Sequence, residues 1–203
     1  MKRGVFICIE GIDASGKTTQ AKLLVKNLTE RGYEAIYTSE PTRGFFGKIL
    51  RQKILYGNKR VPAVIEALLF ALDRLDHVEK EIKPALREGK IVVSDRYLYS
   101  SIAYQGAAGL DLDWIEKINR WAVKPDLAIY LDVPAETVIK RLKGERSIME
   151  NLENQRKVRE VYLKLVREKK LLLINGNRSI NEVEHEILQI VLEHLKTSFA
   201  ETA

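Results

Sequence analysis

The stretch Gly11-Ile12-Asp13-Ala14-Ser15-Gly16-Lys17-Thr18 has the spacing G-x-x-x-x-G-K-[ST]. In front of it, Val5-Phe6-Ile7-Cys8-Ile9 is apolar and rich in β-branched residues, which reads as a short buried strand. Behind it, Thr19 to Leu28 carries apolar residues at helical spacing. Strand, glycine loop and helix start in that order make a phosphate cradle. Gly11 and Gly16 permit backbone angles and a close approach that a side chain would forbid. Inward-pointing N–H groups and the positive end of the helix then favour polyphosphate oxygens. Gly11, Ile12, Asp13, Ala14, Ser15, Gly16, Lys17, Thr18 and Thr19 are the candidate ATP contacts. Lys17 is expected in a solvent-facing loop, able to reach the β- and γ-phosphates, and the Thr18 hydroxyl can ligate Mg²⁺. The alternative is a glycine-rich turn before a helix, and the flanking strand and helix weigh against it.

Working outward, strand-length apolar runs recur at Tyr33–Ser39, Ile91–Ser94, Leu127–Leu131 and Leu171–Ile174, which with Val5–Ile9 makes five strands. Helical stretches fall at 16–30, 44–56, 62–87, 112–122, 135–143, 151–168 and 180–197. This alternation predicts an α/β fold: three layers, a five-stranded parallel sheet with helices on both faces, and strands buried on both sides. Ligands in such sheets gather at the carboxyl ends of the strands. Polar, charged and glycine residues collect there: Glu40-Pro41-Thr42-Arg43-Gly44, Asp95 through Gly106, Asp132-Val133-Pro134 and Asn175-Gly176-Asn177.

The 203 residues, 45% of them hydrophobic, suit a single domain over 1–203. No apolar run is long enough to span a bilayer and no signal-peptide pattern is seen, so a cytoplasmic location and no membrane partner are expected. The lone Cys8 lies in the first strand and reads as a small core residue. The net charge of +6 allows nucleic-acid binding. Basic residues spread over the helices, without a basic tail, instead fit a protein that handles anionic nucleotides and binds no nucleic acid.

Asp95 ends a hydrophobic strand, where an acid can hold Mg²⁺ through water; a helix-capping role is the alternative. Arg96 follows, and its guanidinium can bind a phosphate bidentately. Arg43 sits beyond the neighbouring strand, and a second arginine suggests an acceptor phosphate; a plain surface charge is its alternative. Phe70 and Arg74 share a helix face, so a ring and a set of donors could grip a nucleobase; a core phenylalanine beside a solvated arginine fits the spacing too. Arg141, Lys143 and Arg146 around Gly144 read, beside a phosphate loop, as a short basic lid over about 141–150; an ordinary charged loop is the alternative. No N-K-x-D reads guanine, no glutamate follows Asp95, and Ala14 leaves the loop without an arginine.

In order along the chain, Gly11–Gln20 with Asp13, Glu40-Pro41, Phe70 with Arg74, Asp95-Arg96-Tyr97, Tyr104-Gln105-Gly106, and Arg146 with Val158-Arg159-Glu160-x-Tyr162 resemble the thymidylate kinase family. The resemblance implies a P-loop kinase fold with a short lid, usually homodimeric, that uses ATP and Mg²⁺ to convert dTMP to dTDP. It implies Lys17 on the donor phosphates, Thr18 and Asp95 at the metal, and Arg96, aided by Arg43, on the dTMP phosphate. It further implies Phe70 stacked on thymine, Arg74 and Ser101 at the base, and Glu40 in the acceptor site. Tyr104 would crowd the 2′ side of the sugar with Gln105 supporting that wall, Asp13 would lie near the 3′-hydroxyl, and Arg146 with Arg141 would close over the transferring phosphate. The chain departs from the family at Ser39, where many members carry arginine, and at Gly144–Glu150, which lacks the usual Asp-Arg-aromatic run. A deoxynucleoside kinase acting on thymidine is the rival, with Glu40 as general base on a 5′-hydroxyl.

Overall fold

The computed structural model describes residues 4–56, 61–142 and 151–200. Five parallel strands form one sheet: β1 (Val5–Glu10), β2 (Ala35–Ser39), β3 (Ile91–Asp95), β4 (Leu127–Asp132) and β5 (Leu172–Asn175), in the order β2-β3-β1-β4-β5. Register brings the strand ends level, with Ile9 opposite Asp95 on one side and Ile129 on the other, and Ser39 opposite Asp95. The phosphate loop, the Glu40 turn and the Asp95-Arg96 pair therefore open on one edge. The sheet order reverses direction at β1, and the crevice at such a switch point is where ligands bind in open α/β sheets.

Helices cover both faces: α1 (Lys17–Glu30), α2 (Phe45–Ile49), α3 (Ala63–His77), α4 (Lys83–Arg87), α5 (Leu98–Ala107), α6 (Leu112–Ile118), α7 (Ala135–Arg141), α8 (Leu152–Arg167) and α9 (Ile180–Ala200). Wider, π-type turns extend α2 through Leu50–Leu55 and join α3 to α4 through Val78–Ile82. Pro84 follows on these turns as the second residue of α4. On one face, Ile7, Ile9, Leu24, Leu28, Val183, Ile187 and Val191 bury α1 and α9 against the sheet. On the other, Tyr130, Ile102, Val158 and Tyr162 join β4 to α5 and α8, while Phe6, Cys8, Val78, Ile82 and Tyr97 seat the α3–α4 arm.

Two expectations are corrected. Burial on both sides holds for β1 and β3, but edge strand β5 leaves Leu172 and Leu173 about two-fifths exposed. Residues 98–107, which fall in none of the helical stretches expected from the sequence, form the helix α5. Five successive residues, Ser101–Gln105, are buried, so α5 lacks the one-sided apolar pattern that would betray a helix. Its first N–H groups are served from a distance: Glu10 accepts from the N–H of Tyr97 at 2.9 Å and of Ser100 at 3.2 Å. Cys8 is fully buried, and burial pushes its thiol well above the ordinary value, as a core residue requires.

Candidate active site

The phosphate loop is built as its glycines demand. Gly11 has φ +156°, and a Cβ there would come within 2.5 Å of Ser15 Oγ and 3.0 Å of the Leu131 carbonyl. Gly16 has φ +101° and caps α1; Ala14 also takes a left-handed angle, φ +52°. Lys17 is not in a solvent-facing loop. It opens α1, is buried, and folds back so that Nζ donates to the Ile12 carbonyl at 2.7 Å. Burial first, then the Arg96 charge, lowers its ammonium to about 8.

Thr18 Oγ1 donates to Asp95 Oδ2, while Asp95 Oδ1 is buried with no protein partner. An orphaned carboxylate oxygen beside a hydroxyl suits a hard cation whose remaining ligands are phosphate and water. Among the described residues there is no cluster of three or more His, Cys, Asp or Glu side chains that could hold a metal ion.

Beyond the loop lies a cleft of about 130 Å³, lined by Asp13, Glu40, Phe70, Arg74, Arg96, Ser101, Tyr104 and Gln105 together with Pro41, Leu55, Tyr56 and Ser100. Its phosphate-loop end is an ionic cluster. Arg96 holds a left-handed backbone angle, φ +70°, a strain tolerated where function fixes it. Its NH2 pairs with Asp13 Oδ1 and its NH1 donates to Ser100 Oγ at 3.1 Å. Tyr104 OH donates to Asp13 Oδ2 at 2.7 Å, and the Arg96 guanidinium lies 5.1 Å from the Tyr104 ring centre. Burial pushes the Tyr104 phenol up, so it stays a donor. From α8, fully buried Gln155 donates to Asp13 Oδ2 at 2.9 Å and accepts the Asp13 N–H at 3.3 Å. Below Arg96, Ser100 and Tyr162 both bond Glu10 Oε2, at 2.6 and 2.9 Å, and burial raises the Glu10 carboxyl.

The far end is a buried polar chain. Arg74, 1% exposed, donates from NH1 to Asn119 at 2.6 Å and from NH2 to Glu40 Oε2 at 2.7 Å, Ser101 Oγ at 3.0 Å and the Tyr97 carbonyl at 3.1 Å. Only its Nε has no partner. His77 contacts the second Glu40 oxygen through Nδ1 at 3.1 Å and Thr38 Oγ1 through Nε2 at 2.7 Å. Gln105 Nε2 donates to Glu66 Oε1 at 2.8 Å, and Gln105 Oε1 is buried without a partner. Asp73 accepts from both the N–H and hydroxyl of Thr42, and Arg51 donates to the Pro41 and Thr42 carbonyls, which fixes the Glu40 turn. Gly47 is obligatory there, because a Cβ would sit 1.9 Å from the Thr42 carbonyl.

A second cleft opens on the other side of the loop, lined by Ala14, Ser15, Gly16, Thr19, Gln20, Arg141, Gly176 and Arg178. Arg141 NH2 donates to Asn177 Oδ1 at 3.4 Å. Arg43 is exposed and lines neither cleft. Arg146 and the lid residues from 143 to 150 lie outside the described residues.

Sequence reading brought together Asp13, Glu40, Phe70, Arg74, Arg96, Ser101, Tyr104 and Gln105, and they meet in one cleft. It missed Glu10, Arg51, Glu66, His77, Asn119 and Gln155. None stands in a motif, and each is recognisable only once the fold brings its partners near; a buried charge is the signal that matters.

A phosphate loop at the switch point of a parallel sheet, an acid at the end of the neighbouring strand, and two clefts meeting at that loop define a P-loop nucleotide phosphotransferase. The family model for thymidylate kinase matches residues 9–187. Similar proteins include the probable thymidylate kinases of Thermococcus gammatolerans, 47% identical over 95% of this chain and 98% of the relative, and of Methanocaldococcus jannaschii, 46% identical over 93% and 96%. That of Staphylothermus marinus is 43% identical over 95% of this chain and 96% of its own length. The chain belongs to the thymidylate kinase family.

Proposed function

We infer that the chain transfers the γ-phosphoryl of ATP to dTMP, giving dTDP and ADP, acting as one domain over 1–203. The observation that carries the acceptor's identity is a pair of buried orphans in one cleft: the donor Arg74 Nε and the acceptor Gln105 Oε1. Thymine offers the complement, an acceptor at O4 beside a donor at N3, whereas cytosine offers the reverse. Phe70, half-buried in the same cleft, supplies a face for the ring, and Ser101 adds a hydroxyl. Gln105 thus reads the base edge, rather than only supporting Tyr104. Tyr104 and Asp13 flank the sugar, and Arg96 takes the acceptor phosphate by exchanging part of its Asp13 pairing for it.

No strong base is needed, since a phosphate monoester oxygen is already ionised near neutral pH. Rate then comes from alignment and charge neutralisation: Lys17 swings from the Ile12 carbonyl to the donor phosphates, and Arg96 holds the acceptor in line. Thr18 and Asp95 would hold Mg²⁺, which when bound neutralises charge on the donor phosphates. The second cleft, with Arg141, receives the donor nucleoside. Glu40 is unsuited to act as a base on a 5′-hydroxyl, because both its oxygens are engaged, by Arg74 and His77.

A homodimer fits an exposed apolar stripe on α3, where Val64, Ile65, Leu68 and Leu72 are each more than two-fifths exposed. Among the described residues no helix is long and apolar enough to cross a membrane, and the substrates suit work in the cytoplasm. Coupled ADP-release assays with dTMP and thymidine side by side test the reading: dTMP turns over faster, and faster turnover of thymidine contradicts it.

A further inference from the structure

We propose that Glu66 is a specificity-determining positioning residue: it fixes which way round the Gln105 amide stands, and so which pyrimidine the cleft accepts. The proposal rests on the reading of Gln105 as the group that meets the base edge. Gln105 is 1% exposed on α5, and Glu66 is fully buried near the start of α3, two elements brought side by side only by the fold. The amide nitrogen donates to Glu66 Oε1 at 2.8 Å. With Glu66 Oε1 as the acceptor, the amide cannot turn over without setting two oxygens against each other. The carbonyl is therefore the end left over, buried and unpartnered, on a residue that lines the cleft. A buried acceptor without a partner is costly until a ligand brings a hydrogen. Thymine brings N3–H. Cytosine brings a lone pair at N3, and the two acceptors repel.

Glu66 touches no substrate in this scheme; its accepting oxygen sets the polarity of the group that does. Replacing it by glutamine keeps shape and length but removes that polarity, because a neutral amide can both donate and accept. Gln105 is then free to present its NH₂ to cytosine N3. Arg74 still opposes the cytosine amino group, so discrimination weakens without inverting.

The test is the ratio of kcat/KM for dTMP over dCMP, with ATP and Mg²⁺, in the full chain. In Glu66→Gln the ratio falls about tenfold or more through a gain with dCMP and a loss with dTMP, while the KM for ATP holds. A purely structural role would depress both acceptors alike and leave the ratio standing. A folded Glu66→Gln with the wild-type ratio overturns the proposal. Should that variant not fold, Glu66→Met, which removes the acceptor and keeps the length, must show the same fall, and an unchanged ratio there overturns it equally. Gln105→Leu separates the two levels. If it lowers the ratio while Glu66→Gln does not, only the role of Glu66 falls. If Gln105→Leu itself keeps the wild-type ratio, the reading of the base edge falls and the proposal with it.

Discussion

Asp13, in the loop after β1, and Arg96, just past β3, form an ion pair across the phosphate end of the acceptor cleft. The pair joins a residue of the donor loop to the residue best placed to hold an acceptor phosphate. Each partner is under a fifth or so exposed, and each is tied to a third element, Asp13 to Gln155 of α8 and Arg96 to Ser100 of α5.

This pair makes stability depend on pH. Burial acts to raise the Asp13 carboxyl, but Arg96 and then Lys17 outweigh it, and the net direction is down. A depressed folded value means the contribution is complete above the unfolded value of about 4 and is lost as pH falls through the folded one. Melting temperature measured from about pH 6 to pH 2 falls more steeply for the wild type than for Asp13→Asn. Parallel curves would remove Asp13 from the account.

Lys17 separates activity from stability. Its ammonium is lowered to about 8, chiefly by burial, so the fold penalises its charge. Lys17→Met loses kcat by on the order of 10²–10³ yet melts no lower than the wild type at pH 7. In the free wild-type enzyme, kcat/KM for ATP declines as pH rises through about 8, where the ammonium gives up its proton.

His77 holds the base-reading end at one remove, through Glu40. His77→Phe strips hydrogen bonds from two buried partners, Glu40 Oε1 and Thr38, and destabilises the fold by about 2–4 kcal/mol in urea denaturation. The same change raises the KM for dTMP more than the KM for ATP, because Glu40 orients Arg74. His77→Asn, which keeps a donor near the Nδ1 position, recovers much of both losses. Equal effects on the two KM values would show that the chain Thr38–His77–Glu40–Arg74 does not govern the base site.

The apolar stripe on α3 gives a separate test. Leu68→Glu with Leu72→Glu, both changes on exposed positions, shifts the mass in sedimentation equilibrium from dimer to monomer. A wild type that sediments as a monomer contradicts the homodimer.

The sheet and the phosphate loop were legible in the sequence because each is written locally: a short apolar run, then glycines and Lys17-Thr18, then helical spacing. The acceptor cleft was legible through residues just past strand ends, such as Glu40 and Arg96. Its support was not. Glu66 and Gln105 stand 39 positions apart, Arg74 and Asn119 45, and Asp13 and Gln155 142, so no spacing rule could pair them. α5 escaped because it is buried on several sides by α3, α6 and α8, which erases the polar face that periodicity depends on. Arg43 shows the converse limit: its place after β2 suggested an acceptor role, but the turn fixed by Asp73 and Arg51 leaves it exposed, outside the cleft.

The most direct measurement is a crystal structure of the chain with dTMP and a non-hydrolysable ATP analogue bound together. The expected result is thymine stacked on Phe70, N3–H on Gln105 Oε1, O4 on Arg74 Nε and the dTMP phosphate on Arg96, facing a γ-phosphate held by Lys17. A second nucleotide seated with its base away from Phe70 and Gln105, or with Arg96 still turned wholly to Asp13, would contradict it.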